Sequence, residues 1–147
     1  MDLTQSISFQ ITRCGLLLRQ MTAKRMKKLA TGLTPEEATL LNQLWDKDRQ
    51  TLSELGQWAL KGASTVTRQV DSLERKGFIQ REISQQDRRN VYVALTPKGK
   101  AIEQGFRQGI GLNSIDASIP GISPEELAIT LSVIKRVRDF AAAELNE

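Results

Sequence analysis

The chain has 147 residues, of which 39% are hydrophobic and 26% charged, a size and composition typical of one soluble domain. It contains one cysteine, Cys14, and no histidine, which excludes an intramolecular disulfide, zinc fingers and histidine-dependent catalysis. No run approaches the roughly 18 apolar residues of a membrane-spanning helix, and no secretory signal pattern is present. We therefore expect a cytoplasmic protein that does not enter a membrane.

Positive charge is concentrated in the first two thirds of the chain. Lys and Arg exceed Asp and Glu by three in residues 1–50 and by four in residues 51–100. Acidic residues exceed basic ones by three in residues 101–147. This asymmetry predicts that the first two thirds face a polyanion and that the acidic end does not.

The carboxylates do not form a pattern typical of an enzyme. Glu36 and Glu37 follow a Thr-Pro pair, and Glu125 and Glu126 follow a Ser-Pro pair, which is typical of the first turn of a helix. No glycine-rich phosphate loop stands between a predicted strand and a predicted helix. The sequence therefore predicts no catalytic site, no cofactor and no metal.

A long amphipathic helix is predicted from about Leu3 to Ala30. Its apolar stripe recurs at spacings of three and four residues, at Ile7, Ile11, Cys14, Leu18, Met21 and Leu29. A small neighbouring domain cannot cover such a stripe, so we expect part of the helix to pack on another subunit. The basic run near its end is interpreted as a solvated face, made of Lys24, Arg25, Lys27 and Lys28.

The next helix is predicted to begin at Thr34. The run Thr-Pro-Glu-Glu supplies a cap, a proline in the first turn and two acids that favour a helix N-terminus. Its buried face is predicted at Ala38, Leu41, Leu44 and Trp45, and its end at residues 46–48. We expect this helix to have a structural role in supporting the elements that follow it.

Residues 51–76 have the pattern of a helix-turn-helix. Thr51 can form a capping box with Glu54, and the first helix is predicted to end near Leu60. Lys61 and Gly62 supply a tight connection, and a second helix is predicted over residues 63–76. The second helix is predicted to bury the positions Val66, Val70 and Leu73 and to end at a left-handed Gly77.

The opposite face of the second helix is polar. It carries short hydroxyls and arginines, with one acid among them, at Ser64, Arg68, Asp71 and Arg75, flanked by Thr65, Ser72 and Thr67. Arginine can read guanine through two hydrogen bonds, and the threonine methyl can contact the thymine methyl. We therefore interpret this helix as the recognition helix of a DNA-binding protein.

An antiparallel hairpin is predicted next, from residues 78–83 and 91–95, because both runs are rich in apolar and β-branched residues. The seven-residue tip between them carries the adjacent Arg88 and Arg89. An inserted guanidinium suits the negative potential of a narrow minor groove, and a solvated surface loop is the alternative. The neighbouring helix-turn-helix pattern favours the groove.

The rest of the chain is predicted to be helical with one interruption. A helix is expected over residues 98–112, bent or frayed by its glycines, and a loop or a broken helical turn over residues 113–122. Ser123 caps a last helix whose apolar stripe reaches the C-terminus, at Leu127, Leu131, Ile134, Val137, Ala141 and Leu145. With the first helix, this stripe predicts a dimer interface.

These motifs together resemble a known family. STVTRQVDSLERKGFIQR at residues 64–81, DRR at 87–89 and LTPKG at 95–99 closely resemble the winged helix-turn-helix core of MarR-family bacterial transcriptional regulators. The resemblance implies a mainly α fold with a small β-hairpin wing, an α+β winged helix-turn-helix. It also implies that Arg89 enters the minor groove and that Asp87 helps to orient it. Arg88 would then be an additional basic residue that contacts phosphate.

The resemblance gives the following domain organisation. Residues 1–33 would form an N-terminal dimerisation helix, residues 34–97 the winged DNA-binding domain, and residues 98–147 the C-terminal helices that complete the dimerisation region. A homodimer would place two recognition helices roughly 34 Å apart on double-stranded DNA, across a pseudo-palindromic operator. Phosphate contacts are expected from Lys61, Arg75 and Lys98.

We expect a repressor, with activation by displacement of another protein as the alternative mode in this family. The resemblance implies release by a small aromatic or phenolic effector bound between the dimerisation helices and the winged domain. The apolar side chains that could line this pocket are Met21, Trp45, Trp58 and Phe106. Ordinary core packing is the alternative role for all four.

Two other functions stay open. A branch of the family senses organic hydroperoxides through a cysteine in the first helix, and Cys14 lies near that position. The tyrosines expected beside such a cysteine are missing, since the only tyrosine is Tyr92 on the wing. The second alternative is a winged-helix protein-interaction module that does not bind DNA, because a fold alone does not determine function.

Overall fold

The computed structural model of the chain describes residues 2–58 and 63–146, without the side chains of residues 63 and 112–114. The chain divides into two compact units, Met1–Gly111 and Leu112–Glu147. After a short 3-10 helix at Leu3–Gln5, the first unit contains α1 (Ile7–Leu29), α2 (Pro35–Asp46), β1 (Gln50–Thr51), α3 (Leu52–Gly56), α4 (Ala63–Arg75), β2 (Ile79–Ile83), β3 (Val91–Leu95), α5 (Pro97–Ala101) and α6 (Glu103–Gly109). The second unit contains α7 (Leu112–Ser118) and α8 (Pro124–Leu145).

The sheet has three antiparallel strands in the order β1-β3-β2. In the hairpin, Ile79 pairs with Leu95 and Ile83 with Val91, and the seven-residue tip lies between them. The predicted hairpin and the predicted fold class, mainly α with a small wing, are confirmed. β1 pairs Gln50 with Val93 and was not predicted, because a two-residue strand leaves no periodic signal.

The core of the first unit lies between α2, α3, α4 and the sheet. Side chains from all four are at most 1% exposed, including Leu41, Leu44, Leu55, Val70, Leu73 and Val93. Full burial of one such side chain stabilises a fold by about 1.5–3 kcal/mol. The predicted buried face of the recognition helix is confirmed, since Val66 is also only 3% exposed.

Helix α1 begins later than the sequence predicts. Ser6 caps it by accepting a hydrogen bond from the Phe9 amide at 3.3 Å, and Leu3 lies in the separate 3-10 helix. Met26 is the buried residue of this helix, whereas Ile7 is 57% and Leu18 46% exposed. Most of the apolar stripe therefore lies on the surface of this chain.

Helix α2 begins at the predicted cap, Thr34, which forms a capping box. The Glu37 amide donates to the Thr34 hydroxyl at 3.2 Å, and the Thr34 amide donates to the Glu37 carboxylate at 3.3 Å. Glu36 and Glu37 are both buried, and their carboxylates also form ion pairs with other helices. Arg19 of α1 contacts Glu36 at 2.6 Å, and Lys76 after α4 contacts Glu37 at 2.9 Å.

Two predicted helix boundaries are wrong. Helix α3 begins at the predicted cap, Thr51, but ends at Gly56 rather than near Leu60, which lies outside the described residues. The helix predicted over residues 98–112 is two helices, interrupted at Ile102 rather than at its glycines. The Trp45 indole donates to the Gly99 carbonyl at 3.0 Å, so it competes for the acceptor that a continuous helix would offer to Glu103.

In the second unit, the structure has the helical alternative of the two predicted for residues 113–122, because α7 runs to Ser118. Its short polar residues also suit helix ends, and the Ser118 hydroxyl donates to the Ile115 carbonyl at 2.7 Å. Helix α8 begins at the predicted cap, Ser123, which forms a capping box with Glu126, and its stripe includes Leu131 at 50% exposure. No helix within residues 2–58 and 63–146 is long and apolar enough to cross a membrane.

Candidate nucleic-acid interface

Helix α4 ends in a tight motif that joins it directly to the hairpin. Gly77 has a φ of +84° and donates its amide to the Glu74 carbonyl at 3.0 Å. The Phe78 amide reaches back to the Leu73 carbonyl at 3.1 Å, which completes a Schellman motif. This confirms the predicted left-handed Gly77, and the three residues between the helix and the strand all donate their amides to carbonyls of α4.

The polar face of α4 is exposed as predicted. Ser64, Thr67, Arg68 and Arg75 are exposed, and Thr65 is half-buried. A guanidinium nitrogen of Arg68 lies 3.4 Å from the Thr65 hydroxyl, which holds these two side chains on one side of the helix. Hydroxyl and guanidinium groups are thus presented together on a helix whose other face is fully buried.

The tip of the hairpin is organised by side chains. The Ser84 amide donates to the Asn90 carbonyl at 3.0 Å, and the Ser84 hydroxyl accepts from the Gln86 and Asp87 amides. One carboxylate oxygen of Asp87 accepts both the amide of Arg89 at 3.0 Å and its Nε at 3.2 Å. The side chain of Arg89 is still 91% exposed, so its position is set while its outer nitrogens face solvent.

The other basic residues predicted to contact DNA lie in different environments. Arg88 is exposed at the tip. Lys98 is exposed as a residue, but its ammonium donates to the Lys76 carbonyl at 2.6 Å and lies 4.5 Å from the Phe78 ring centroid. This gives Lys98 a structural role at the end of α4. Lys61 lies outside the described residues.

Arg81 links the hairpin to α4, and sequence reasoning missed it. Its Nη1 contacts Glu74 at 2.8 Å, its Nη2 contacts Asp71 at 2.5 Å, and its amide donates to Glu74 at 2.9 Å. Burial lowers the pKa of Arg81, but hydrogen bonds to Asp71 and then Glu74 outweigh this and raise its pKa above the ordinary value. The guanidinium therefore stays charged at any physiological pH.

A sequence signal for this link did exist. Asp71 and Glu74 are three residues apart on α4, so they share a side of the helix. Arg81 stands two residues beyond the buried Ile79, so strand alternation turns it toward the same face of the sheet. Opposite charges on two elements that are joined by a tight turn would have predicted the contact.

A second arginine contacts the other face of the hairpin. Arg49 has a φ of +64°, its Nε lies 2.7 Å from Glu82, and its guanidinium lies 4.9 Å from the Tyr92 ring centroid. The Asp48 carboxylate accepts the amides of Arg49 and Leu95 at 2.8 and 2.9 Å. An open cavity of about 510 Å³ lies here, lined by Arg49, Glu82, Ile83, Ser84, Gln85, Gln86 and Tyr92.

The four residues predicted for an effector pocket are in different environments. The rings of Trp45 and Phe106 lie 5.4 Å apart, and the two residues pack with the core. Met21 is half-buried on α1, and Trp58 is 63% exposed. None of the four lines the cavity at the hairpin. The pocket stays a prediction, and core packing accounts for the environment of Trp45 and Phe106.

Cys14 is exposed on α1, while Tyr92 lies in β3 and contacts Arg49. The part of the chain that the structure describes contains no cluster of three or more His, Cys, Asp or Glu side chains that could hold a metal ion. The exposed groups of the candidate interface are hydroxyls and guanidinium groups on α4 and the hairpin tip.

Comparisons with known proteins agree with this geometry. A model of the MarR family matches residues 33–91. The HTH-type transcriptional regulator MhqR of Bacillus subtilis is 32% identical over 106 residues, which are 72% of this chain and 72% of MhqR.

Two solved structures share the fold over nearly the whole chain. Reduced AbfR bound to DNA, a Staphylococcus epidermidis protein, has a TM-score of 0.78 and 24% identity and covers 99% of this chain and 95% of its own. Bordetella bronchiseptica BpsR, whose DNA binding is regulated by 6-hydroxynicotinic acid, has a TM-score of 0.81 and 17% identity, with 95% and 97% covered.

The buried and exposed faces of α4, the tight turn and the hairpin with its exposed arginine form a winged helix-turn-helix. The matched residues 33–91 include all of α2, β1 and β2, and MhqR extends the match to most of the chain. Proteins of this kind are transcriptional regulators rather than enzymes. The chain belongs to the MarR family of DNA-binding transcriptional regulators.

Proposed function

We propose that the protein is a repressor that binds a pseudo-palindromic operator as a homodimer. The observation that carries this proposal is the pair of exposed arginine sites on two elements joined by a tight turn. Arg68 lies among hydroxyl groups on the outer face of α4. Arg89, at the hairpin tip, is bonded to the Asp87 carboxylate and its side chain is 91% exposed. A dimer seated on a promoter blocks polymerase without further components.

In this proposal α4 enters the major groove. Arg68 donates to a guanine, Ser64, Thr65 and Thr67 contact neighbouring base edges, and Arg75 contacts phosphate. The hairpin tip enters the adjacent minor groove with Arg89, while Arg88 contacts phosphate. The DNA-bound AbfR structure, which covers 99% of this chain, supports a DNA partner for this fold.

The proposed dimer is supported by the exposed apolar surface of two long helices. Leu16, Leu17 and Leu18 on α1 are each 46–57% exposed. On α8, Ile129 is 66% and Phe140 72% exposed. Two-fold symmetry would repeat the reading head roughly one turn of DNA away, about 34 Å, which is why the operator should be a pseudo-palindrome.

Release by a small aromatic or phenolic effector is the proposed signal. BpsR, which shares the fold, responds to 6-hydroxynicotinic acid, an aromatic acid of that size. In this chain Met21, one of the four candidate residues, is half-buried on α1.

The test is binding of the purified protein to the DNA upstream of its own gene, with random DNA of equal length as control, across a range of salt concentrations. We expect specific binding whose affinity falls steeply with salt, by about 0.9 log units per log unit of salt for each phosphate contacted. Equal weak binding to both DNAs would contradict a local operator. In that case, alanine substitution of both Arg88 and Arg89 separates the alternatives, because a protein-interaction module would be unaffected by it.

A thiol-based sensor is a second candidate, favoured by the exposure of Cys14 on α1 and by the reduced state of the DNA-bound AbfR. Under this alternative, organic hydroperoxide releases the protein from DNA through oxidation of Cys14. The substitution Cys14→Ser then abolishes release. If the serine variant is released as readily as the wild type, the sensor is not this cysteine.

A further inference from the structure

Apolar packing of the hairpin ends well before its tip. Ile79 and Val93 are 2% and 0% exposed, whereas Ile83, at the outer end of β2, is 67% exposed. The tip that carries Arg89 therefore extends beyond the hydrophobic core. Other contacts must set its direction relative to α4, because a two-stranded ribbon that lacks apolar packing is only marginally stable.

Arg81 makes such contacts at the point where the core ends. In the strand register it lies opposite the buried Val93, on the face of the sheet that packs toward α4. Its guanidinium bridges Glu74 at 2.8 Å and Asp71 at 2.5 Å, and its amide donates to the second oxygen of Glu74 at 2.9 Å. The side chain is 26% exposed, so solvent screens the ion pairs only in part.

We propose that Arg81 is a positioning residue that sets the angle between the recognition helix and the wing, so that the two grooves are read as one unit. This inference rests on the proposed function. Arginine suits the task because its planar fork holds two carboxylates at fixed directions, whereas a lysine ammonium is a single point charge on a flexible chain.

The arrangement also accounts for an acid on the DNA-reading face. Asp71 is three residues from Arg68 and four from Arg75, and its side chain is 51% exposed. An uncompensated carboxylate at this place would repel phosphate. Pairing with Arg81 neutralises Asp71 and draws it toward the strand, away from its two basic neighbours.

The consequence for DNA binding is a coupling between residues that do not touch. With Arg81 in place, the wing is ordered before DNA arrives, so Arg89 can contribute to binding without a further ordering cost. Without Arg81, the tip can take many directions, and Arg89 should contribute less. The difference between the contribution of Arg89 to affinity with Arg81 present and with Arg81 removed therefore measures the role of Arg81.

The experiment introduces Arg89→Ala into the wild type, into Arg81→Met and into Arg49→Met. The Arg49 variant is the matched control, because it removes an arginine from the other face of the same hairpin without touching α4. Affinity for a selected operator and for random DNA is measured by fluorescence anisotropy, and thermal unfolding is followed in parallel.

We expect Arg89→Ala to lower operator affinity by about tenfold or more in the wild type and in Arg49→Met, and by about threefold or less in Arg81→Met. A role confined to stability would shift the unfolding temperature of Arg81→Met but leave the effect of Arg89→Ala equal in all three backgrounds. That equality would overturn the proposal.

Two further variants cover an Arg81→Met protein that unfolds. Asp71→Asn with Glu74→Gln keeps the side-chain shapes and removes both charges, and it should reduce the effect of Arg89→Ala in the same way. Arg81→Lys keeps the charge but not the fork, and it should not restore the full effect. A wild-type protein that binds operator and random DNA equally would contradict the proposed function. The positioning role of Arg81 is contradicted only by an equal effect of Arg89→Ala in all backgrounds.

Discussion

Arg89 and Arg88 are adjacent on the wing but differ in how they are held. Arg89 is bonded twice to Asp87, while Arg88 precedes it in the same exposed turn. A guanidinium held by a carboxylate can read groove width, and its exposed neighbour is suited to phosphate. The two side chains should therefore contribute to different parts of the binding energy.

We predict that Arg89→Ala weakens operator binding by about 1–3 kcal/mol. The same substitution should weaken binding to random DNA much less. Arg88→Ala should weaken binding to both DNAs to a similar, smaller extent, because a phosphate contact carries no sequence information. Competition binding with labelled operator and unlabelled random DNA measures both effects. Equal losses of discrimination in the two variants would refute the assignment.

The arginines of α4 form a similar pair. Arg68→Ala should cost about 1–3 kcal/mol and relax the preference at one base pair of each half-site. Arg75→Ala, in the last turn, should weaken binding on all sequences and reduce the salt slope by about 1. Selection of binding sites from a random library, repeated at several salt concentrations, separates the two. An unchanged preference in Arg68→Ala would remove this residue from base recognition.

At the scale of residues, sequence reasoning succeeds where one helix determines the answer. The buried and exposed sides of α4 follow from its own periodicity, and the structure has them as predicted. The first-turn position of Glu37 is confirmed, but its ion pair with Lys76 was missed, because the two residues are 39 positions apart. The contribution of each proposed side chain to DNA binding depends on DNA geometry and stays a prediction.

Among the short elements, α5 depends on one glycine. A Cβ built on Gly99 would lie 2.1 Å from the Phe78 carbonyl oxygen, which is backbone and cannot move aside. Gly105 in α6 has open space around the same position. The two glycines therefore predict opposite effects of the same substitution.

We predict that Gly99→Ala destabilises the protein by at least about 2 kcal/mol, because overpacking forces α5 away from the hairpin. Gly105→Ala should be neutral or stabilise by up to about 1 kcal/mol, because alanine favours the helix. Chemical denaturation measures both values. Similar destabilisation by the two substitutions would mean that helix propensity, not the close backbone contact, governs this region.

The element boundaries show which signals are local. The caps at Thr34 and Ser123 were predicted correctly, since a capping box is complete within four residues. The interruption at Ile102 could not be predicted, because it coincides with a hydrogen bond between Trp45 and Gly99, 54 residues apart. Pairing of β1 with β3 also joins segments that are distant in sequence, and no local sequence pattern predicts it.

At the scale of the whole molecule, the long helices α1 and α8 carry exposed apolar side chains that have no partner in the core of the described residues. Leu131 on α8 is 50% exposed, and the adjacent Ser132 is also exposed. If the stripe of α8 forms the dimer interface, a charge at position 131 falls inside it. A charge at position 132 falls one step around the helix, about 100° away.

We predict that Leu131→Glu raises the dimer dissociation constant by at least about a hundredfold, since a buried unpaired carboxylate costs several kcal/mol. Ser132→Glu should leave the dimer intact while adding the same charge. Sedimentation equilibrium gives the oligomeric state, and operator binding should fall with dimer content. A dimer that tolerates Leu131→Glu would place the interface on another surface.

The strand order β1-β3-β2 leaves β2 with one unpaired edge. An open edge can pair with a strand from another molecule. The middle of β2 reads Gln-Arg-Glu, and charged side chains at an edge discourage strand addition. We therefore expect Arg81, which we propose positions the wing, also to disfavour pairing between the wings of neighbouring molecules.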